Sequence, residues 1–110
     1  MGLTATLDAT ETDEGVEFTF EVRNDGDDPV ELTFRSGQTS DVAVFDDGEE
    51  VWRWSDGMMF TQMIRQTSMG PGEKEVDRKV WESPAPGDYE AVATLEANDV
   101  DVEARTTFSV

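Results

Sequence analysis

Two side chains that enzymes commonly use for chemistry, those of histidine and cysteine, are missing from this sequence, and its many carboxylates form no informative pair. None of its 110 residues is histidine or cysteine, which removes the commonest general base, the commonest metal ligand and any disulfide. A serine–lysine dyad would need Lys74 or Lys79, and no catalytic motif surrounds either residue. The Gly70-Pro71-Gly72 loop lacks the lysine and the helix of a phosphate-binding loop. We therefore predict that the protein is not an enzyme and uses no cofactor.

Acidic turns are the remaining candidates for a metal site. Two groups of carboxylates could supply the oxygen ligands that calcium prefers: Asp25, Asp27 and Asp28, and Asp46, Asp47 and Glu49. Neither group has the spacing of an EF-hand loop. Solvated acidic turns are therefore the favoured interpretation, and no metal is predicted.

The charge of the chain limits its partners. Twenty-six acidic and eight basic residues give a formal net charge of −18, which repels nucleic acid. We favour adaptation to a salty cytoplasm over a dedicated acidic binding surface, because molar salt shortens the screening length to about 3 Å and removes most self-repulsion. No apolar run has the length of a membrane span, and no secretory signal is visible. We expect a cytoplasmic protein that binds neither nucleic acid nor membranes.

Residues 51–81 differ from this acidic background. They contain five basic and four acidic residues, so the stretch carries 5 − 4 = +1 and the remaining residues carry −19. All three tryptophans and four of the five methionines lie in it: Trp52, Trp54, Trp81, Met58, Met59, Met63 and Met69. Such a segment either supplies the core, or is the face that a partner contacts, or does both.

The elements that must position this segment are predicted to be strands. Runs of alternating polar and apolar residues, separated by turn signals about every 8 to 12 residues, indicate eight or nine short strands and no helix. The clearest run is residues 16–22. Residues 62–67 fit a strand or a short helix, and their β-branched content favours a strand. The last strand is predicted from Val100 to Phe108.

Turns are predicted between these strands at several places: 24–29, Asp46-Asp47-Gly48, Asp56-Gly57, Gly70-Pro71-Gly72 and Asn98-Asp99. The pattern predicts a single domain, residues 1–110, with an all-β fold: an immunoglobulin-like antiparallel β-sandwich. A small closed barrel is the alternative. Tyr89 in Pro86-Gly87-Asp88-Tyr89 resembles the tyrosine corner of such sandwiches, in which the hydroxyl bonds back to the chain.

The adjacent methionines Met58 and Met59 are candidates for exposure. Neighbouring side chains on a regular strand point to opposite faces, so both can be buried only by a twist or a bulge. An exposed methionine is a flexible apolar side chain of the kind used at adaptable interfaces. Trp54 and Trp81 are expected in the core, whereas burial and exposure of Trp52 are equally compatible with the sequence.

Several motifs follow one another in a recognisable order. The most specific block is Val51-Trp52-Arg53-Trp54-Ser55-Asp56-Gly57 followed by Phe60-Thr61-Gln62. Around it lie Phe34-Arg35-Ser36-Gly37-Gln38, Val44-Phe45-Asp46-Asp47-Gly48, Pro71-Gly72-Glu73, Trp81 and Pro86-Gly87-Asp88-Tyr89. Together, over residues 16–95, they resemble the intracellular proteinase inhibitor (BsuPI) family. The chain departs from the family at Ser40, where an aromatic residue is frequent, and in its acidity, which fits a halophilic version.

The resemblance implies an immunoglobulin-like sandwich that inhibits an intracellular subtilisin-like serine protease. A loop would enter the active-site cleft, and the apolar S1 pockets of such proteases point to Met58 or Met59. The candidate protease contacts are therefore Asp56, Gly57, Met58, Met59 and Trp52, with the Gly70, Pro71 and Gly72 loop as the second candidate. The alternatives are a non-inhibitory protein–protein interaction module, and a salt-adapted structural domain in which the Trp-rich and Met-rich segment is entirely core.

Overall fold

The computed structural model of the chain describes residues 2–98 and 100–110. The turn predicted at Asn98-Asp99 includes Asp99, which lies outside the described residues. Within the described part there are nine strands: β1 (Leu3–Thr12), β2 (Gly15–Asn24), β3 (Val30–Phe34), β4 (Ser40–Asp46), β5 (Glu49–Arg53), β6 (Arg65–Met69), β7 (Lys74–Glu82), β8 (Asp88–Leu95) and β9 (Glu103–Ser109). No helix capable of crossing a membrane occurs in these same residues.

The strands form three antiparallel sheets. The strand orders are β1-β2-β7, β3-β6 and β5-β4-β8-β9, and every neighbouring pair is antiparallel. The sheets are open and pack over a shared core, so the closed barrel is not the architecture. The predicted all-β sandwich is confirmed.

The core receives buried side chains from all three sheets, including Leu32, Phe34 and Met69 from the second, because apolar and polar residues alternate along most strands. On β2 the buried side chains Val16, Phe18, Phe20 and Val22 face inward, as their spacing predicts. Opposite them the third sheet contributes Val42, Val44, Ala91 and Ala93. The ring of Phe18 lies 5.9 Å from that of Trp52 on β5 and 5.4 Å from that of Phe108 on β9, so one aromatic side chain connects the two layers.

The hairpin between β4 and β5 has the predicted turn. Asp47 and Gly48 are its two connecting residues, with φ angles of 51° and 83°. Two consecutive positive φ angles define the type I′ turn, which matches the twist of the flanking strands.

Two predicted strand boundaries are wrong. The strand predicted over residues 62–67 begins only at Arg65, because the chain before it bonds to a loop instead of to a strand: the amide of Gly37 donates to the carbonyl of Thr61 at 2.8 Å. The last strand begins at Glu103 and not at Val100. In both cases β propensity was present but a neighbouring strand in register was not.

The tyrosine corner is present at Tyr89. Its hydroxyl donates a hydrogen bond to the carbonyl of Ala85 at 2.7 Å, and its ring is buried against Trp81. We expect Tyr89→Phe to lower the free energy of unfolding by about 1 kcal/mol, because only the hydrogen bond is lost while the ring remains. Urea denaturation measures this change. The control is Ser109→Ala, which removes an exposed hydrogen bond to Asp88 on the paired strand and should cost less. Equal stability of Tyr89→Phe and the wild type would contradict the assignment.

Candidate functional site

The candidate site is the segment of residues 57–64, which we call the apolar segment. Its eight residues carry no charge, although the chain has 26 acidic residues. Within residues 2–98 and 100–110, four of the five exposed large hydrophobic residues lie here: Met58 (45% exposed), Met59 (97%), Met63 (74%) and Ile64 (71%). Clusters of exposed apolar residues are a feature of interaction surfaces, which makes this segment the candidate. The alternative of a segment that is entirely core is therefore wrong.

The apolar segment begins at the predicted Asp56-Gly57 turn. The amide of Asp56 donates to the carbonyl of Arg53 at 3.1 Å, and the amide of Met58 donates to that of Ser55 at 3.1 Å. Gly57 has a φ of 76°, a conformation that glycine adopts without the steric cost other residues incur. The chain therefore turns sharply after β5 and leads directly into Met58 and Met59.

The middle of the apolar segment is attached to the sandwich at two neighbouring residues. The ring of Phe60 lies 5.8 Å from that of Trp54, and the carbonyl of Thr61 accepts the hydrogen bond from Gly37. A side chain at Gly37 would place its Cβ 2.8 Å from Oγ1 of Thr61, so this glycine permits the close approach. The exposed methionines therefore lie on both sides of a fixed point.

A buried carboxylate holds the turn that precedes the segment. Asp41 on β4 is 4% exposed and accepts hydrogen bonds from Nη1 of Arg53 (3.1 Å), Oγ of Ser55 (2.6 Å) and the amides of Val42 and Ser55. Hydrogen bonds from Arg53 to Glu50 and to Asp41 raise the pKa of the guanidinium, which stays charged. Sequence reasoning missed this role of Asp41. Its only signal was a single acid directly before a run of buried apolar residues.

A second buried network lies beneath Trp54. Nζ of Lys79 lies 4.0 Å from the centre of the Trp54 ring and donates to Oγ of Ser40 at 2.8 Å, while Ser40 donates to Asp77 at 2.5 Å. Burial lowers the pKa of Lys79, an effect that the nearby charges of Asp77 and Asp41 oppose. Trp54 therefore contacts both Phe60 and the buried ammonium group of Lys79.

This network contains the serine–lysine pairing considered above, but its position excludes catalysis. Ser40 is only 1% exposed, so a substrate cannot reach its hydroxyl. The other lysine, Lys74, forms an ion pair with Glu21 at 3.5 Å. The pairing of Ser40 with Lys79 is thus a means of satisfying a buried charge.

The structure brings some of the predicted contact residues together and separates others. Trp52, Asp56 and Met58 line one shallow depression, whereas Met59 points into solvent. Trp52 is half-buried, because its ring stacks between those of Phe18 and Trp81 at 5.9 and 5.7 Å. Trp54 and Trp81 also pack against the core, as expected. Trp52 is therefore held in the aromatic stack and is not a free surface side chain.

The second candidate loop, Gly70-Pro71-Gly72, lies at a different attachment point. It connects β6 to β7. Asn24, which is fully buried, forms hydrogen bonds at both ends of the loop. The amide of Gly72 donates to the carbonyl of Asn24 at 2.8 Å, and the side-chain amide of Asn24 donates to the carbonyl of Met69 at 2.8 Å. The five residues of β6 separate this loop from the apolar segment, so the two are distinct candidate surfaces.

The acidic turns form no recognisable metal centre in the described chain. No group of three or more acidic side chains there has the geometry to hold a metal ion. One of the candidate carboxylates, Asp25, accepts a hydrogen bond from the hydroxyl of Thr4 at 2.6 Å.

Solved structures with the same architecture include domains of very different proteins. The chain is similar to the CARDB domain of a Pyrococcus furiosus protein in a crystal structure with di-metal ions (22% identity, TM-score 0.51, covering 98% of this chain and 91% of that chain). A solution structure of that domain gives 22% identity and a TM-score of 0.55, covering 99% and 94%. A β-glucosidase from Kluyveromyces marxianus, in complex with glucose, gives 16% identity and a TM-score of 0.54, covering 98% of this chain but 14% of the enzyme. At such identities the likeness is to the fold alone, which is immunoglobulin-like, as the sequence predicted.

The family is identified by sequence. No curated protein matches the chain. The profile of the family described as intracellular proteinase inhibitor, BsuPI, matches residues 3–100, nearly the whole chain. Members of this family are inhibitors and not enzymes, in agreement with the missing catalytic residues. The chain belongs to the intracellular proteinase inhibitor (BsuPI) family.

Proposed function

We propose that this protein inhibits an intracellular, subtilisin-like serine protease in the cytoplasm by inserting the apolar segment into the active-site cleft. The observation that carries the proposal is an uncharged, exposed run of residues attached to a rigid sandwich. Because Phe60 and Thr61 are already held by Trp54 and Gly37, little conformational entropy is lost when the segment binds. Such preorganisation is what allows a short loop to bind tightly.

Met59 is the residue that we place in the S1 pocket of the protease. Met58 borders the depression next to Trp52 and Phe60 packs on Trp54, whereas Met59 between them is 97% exposed. The opposite directions of Met59 and its two neighbours are compatible with the extended conformation that a protease cleft accepts. The unbranched thioether side chain of methionine fits a large apolar pocket. Asp56 and Gly57 would contact the rim.

A titration tests the proposed activity. The purified chain is added in increasing amounts to the host's intracellular subtilisin-like protease at several salt concentrations. We expect the activity to fall in proportion to the inhibitor added until the two are equimolar. A trypsin-like protease, whose S1 pocket carries an acid, is the control and should be inhibited weakly, since it selects basic side chains. Full protease activity at a molar excess of the chain would overturn the proposal.

A non-inhibitory interaction module remains the second candidate, favoured by one observation. Met63 and Ile64 extend the exposed apolar surface beyond the Met58-Met59 pair, as a broader contact would require. The two functions differ when the active site of the protease is covalently blocked. Loop insertion requires that the blocked protease no longer binds in size-exclusion chromatography. An interaction module would bind the blocked and the free protease equally, or neither of them where its partner is another protein.

A further inference from the structure

The exposed methionines of the apolar segment form a surface that oxidants can reach. Met58, Met59 and Met63 lie within six residues and are all exposed, whereas Met69 at the end of β6 is 2% exposed. Oxidation of methionine depends on access of the oxidant to the sulfur. The chain has no cysteine, so no thiol competes for the oxidant. The thioether of Met59, at 97% exposure, is the most accessible of those described.

We propose that Met59 is a reversible oxidation site, and that its conversion to the sulfoxide by a peroxide releases the protease. This inference rests on the proposed inhibitory function. In the reaction the sulfur lone pair attacks one peroxide oxygen, the O–O bond breaks and an S–O bond forms. For hydrogen peroxide, a methionine and H2O2 give a sulfoxide and water, so the sulfur is oxidised by two electrons and the peroxide is reduced. A sulfoxide reductase with a dithiol reverses it, giving a disulfide and water.

Oxidation would weaken binding because it changes the polarity of one side chain. The sulfoxide oxygen is a strong hydrogen-bond acceptor, and burying it in an apolar S1 pocket removes its water without supplying a donor. The fold itself would be unaffected, because Met59 projects into solvent whereas the buried Met69 belongs to the core. The fold therefore separates a sensitive methionine from a protected one.

The experiment exposes the full chain to dilute hydrogen peroxide and follows each methionine by peptide mass spectrometry. We expect Met59 to oxidise at least about tenfold faster than Met69, with an unchanged Tm. Inhibition of the protease should weaken about tenfold or more in parallel with the Met59 sulfoxide, and treatment with methionine sulfoxide reductase and a dithiol should restore it. Equal oxidation rates at Met59 and Met69 would overturn the inference by themselves.

Two variants assign the effect to one residue. Met69→Leu, a substitution of similar volume in the core, should remain as sensitive to peroxide as the wild type. The inhibition constant of Met59→Leu should be the same before and after peroxide treatment. Inhibition that survives complete oxidation of Met59, or is lost equally in Met59→Leu, would overturn the inference and leave the inhibitory function standing. Absence of inhibition before any oxidation would instead overturn the proposed function, and this inference with it.

Discussion

Met59→Asp is expected to weaken inhibition of a subtilisin-like protease by about a hundredfold or more. The carboxylate would enter an apolar pocket without a partner, and about 3 kcal/mol of lost binding free energy corresponds to that factor. The fold should not change, because the side chain is 97% exposed in the free protein. The inhibition constant, measured by titration against the protease, is the readout, and the Tm confirms that the variant is folded.

The controls for this prediction distinguish the effect of the substituted position from the effect of the added negative charge. Thr10→Asp adds the same charge at an exposed position of β1 and should change the inhibition constant less than about twofold. Met58→Asp should also weaken inhibition, but less, because the Met58 side chain is partly buried beside Trp52. If neither methionine variant differs from the wild type, the contact surface is not the apolar segment, and the Gly70-Pro71-Gly72 loop becomes the candidate.

Asp41→Ala should lower the free energy of unfolding by about 3 kcal/mol. The substitution removes the buried carboxylate, 4% exposed, to which Ser55 and the amide of Val42 donate, and it leaves Arg53 with its exposed bonds to Glu50 alone. Hydrogen bonds to a buried charge are among the stronger ones. The same bonds hold the end of β5 and the turn that carries Met58. Inhibition should therefore weaken as well, even under salt conditions that keep the variant folded.

Glu50→Ala is the matched control because both acids bind the same arginine. The Glu50–Arg53 pair is shorter, at 2.6 Å, but its two side chains are 38% and 37% exposed, so solvent screening leaves it worth at most about 1 kcal/mol. Urea denaturation compares the two variants. If Glu50→Ala costs as much as Asp41→Ala, burial of Asp41 is not what stabilises the turn.

Local patterns were sufficient for most of the fold. The alternation on β2, the Asp-Gly hairpin and the corner at Tyr89 each depend on residues close together in the chain, and all three are present. The strands predicted from alternation were wrong at residues 62–64 and at Val100, because a strand there would have needed a neighbouring strand in register. Pairing partners come from distant parts of the chain, and a window of sequence does not contain them.

The candidate site was predictable in composition but not in geometry. Two adjacent methionines after a turn imply that at least one is exposed, and the motifs around Trp52 and Trp54 indicate the family. The roles of Asp41 and Lys79 were not predictable, because each depends on a residue 12 or more positions away in the chain. Asp41 binds Arg53, and Lys79 binds Ser40.

By itself, then, the sequence determined the family, the all-β class and the absence of histidine, cysteine and any catalytic motif, since these follow from residue types, motifs and short-range periodicity. Only the tertiary structure decided which methionines face solvent, that Trp52 stacks in the aromatic core, and that Phe60 and Thr61 are held by Trp54 and Gly37. The physical reason is that exposure and attachment depend on what packs against a residue, and packing joins parts of the chain that are far apart in sequence.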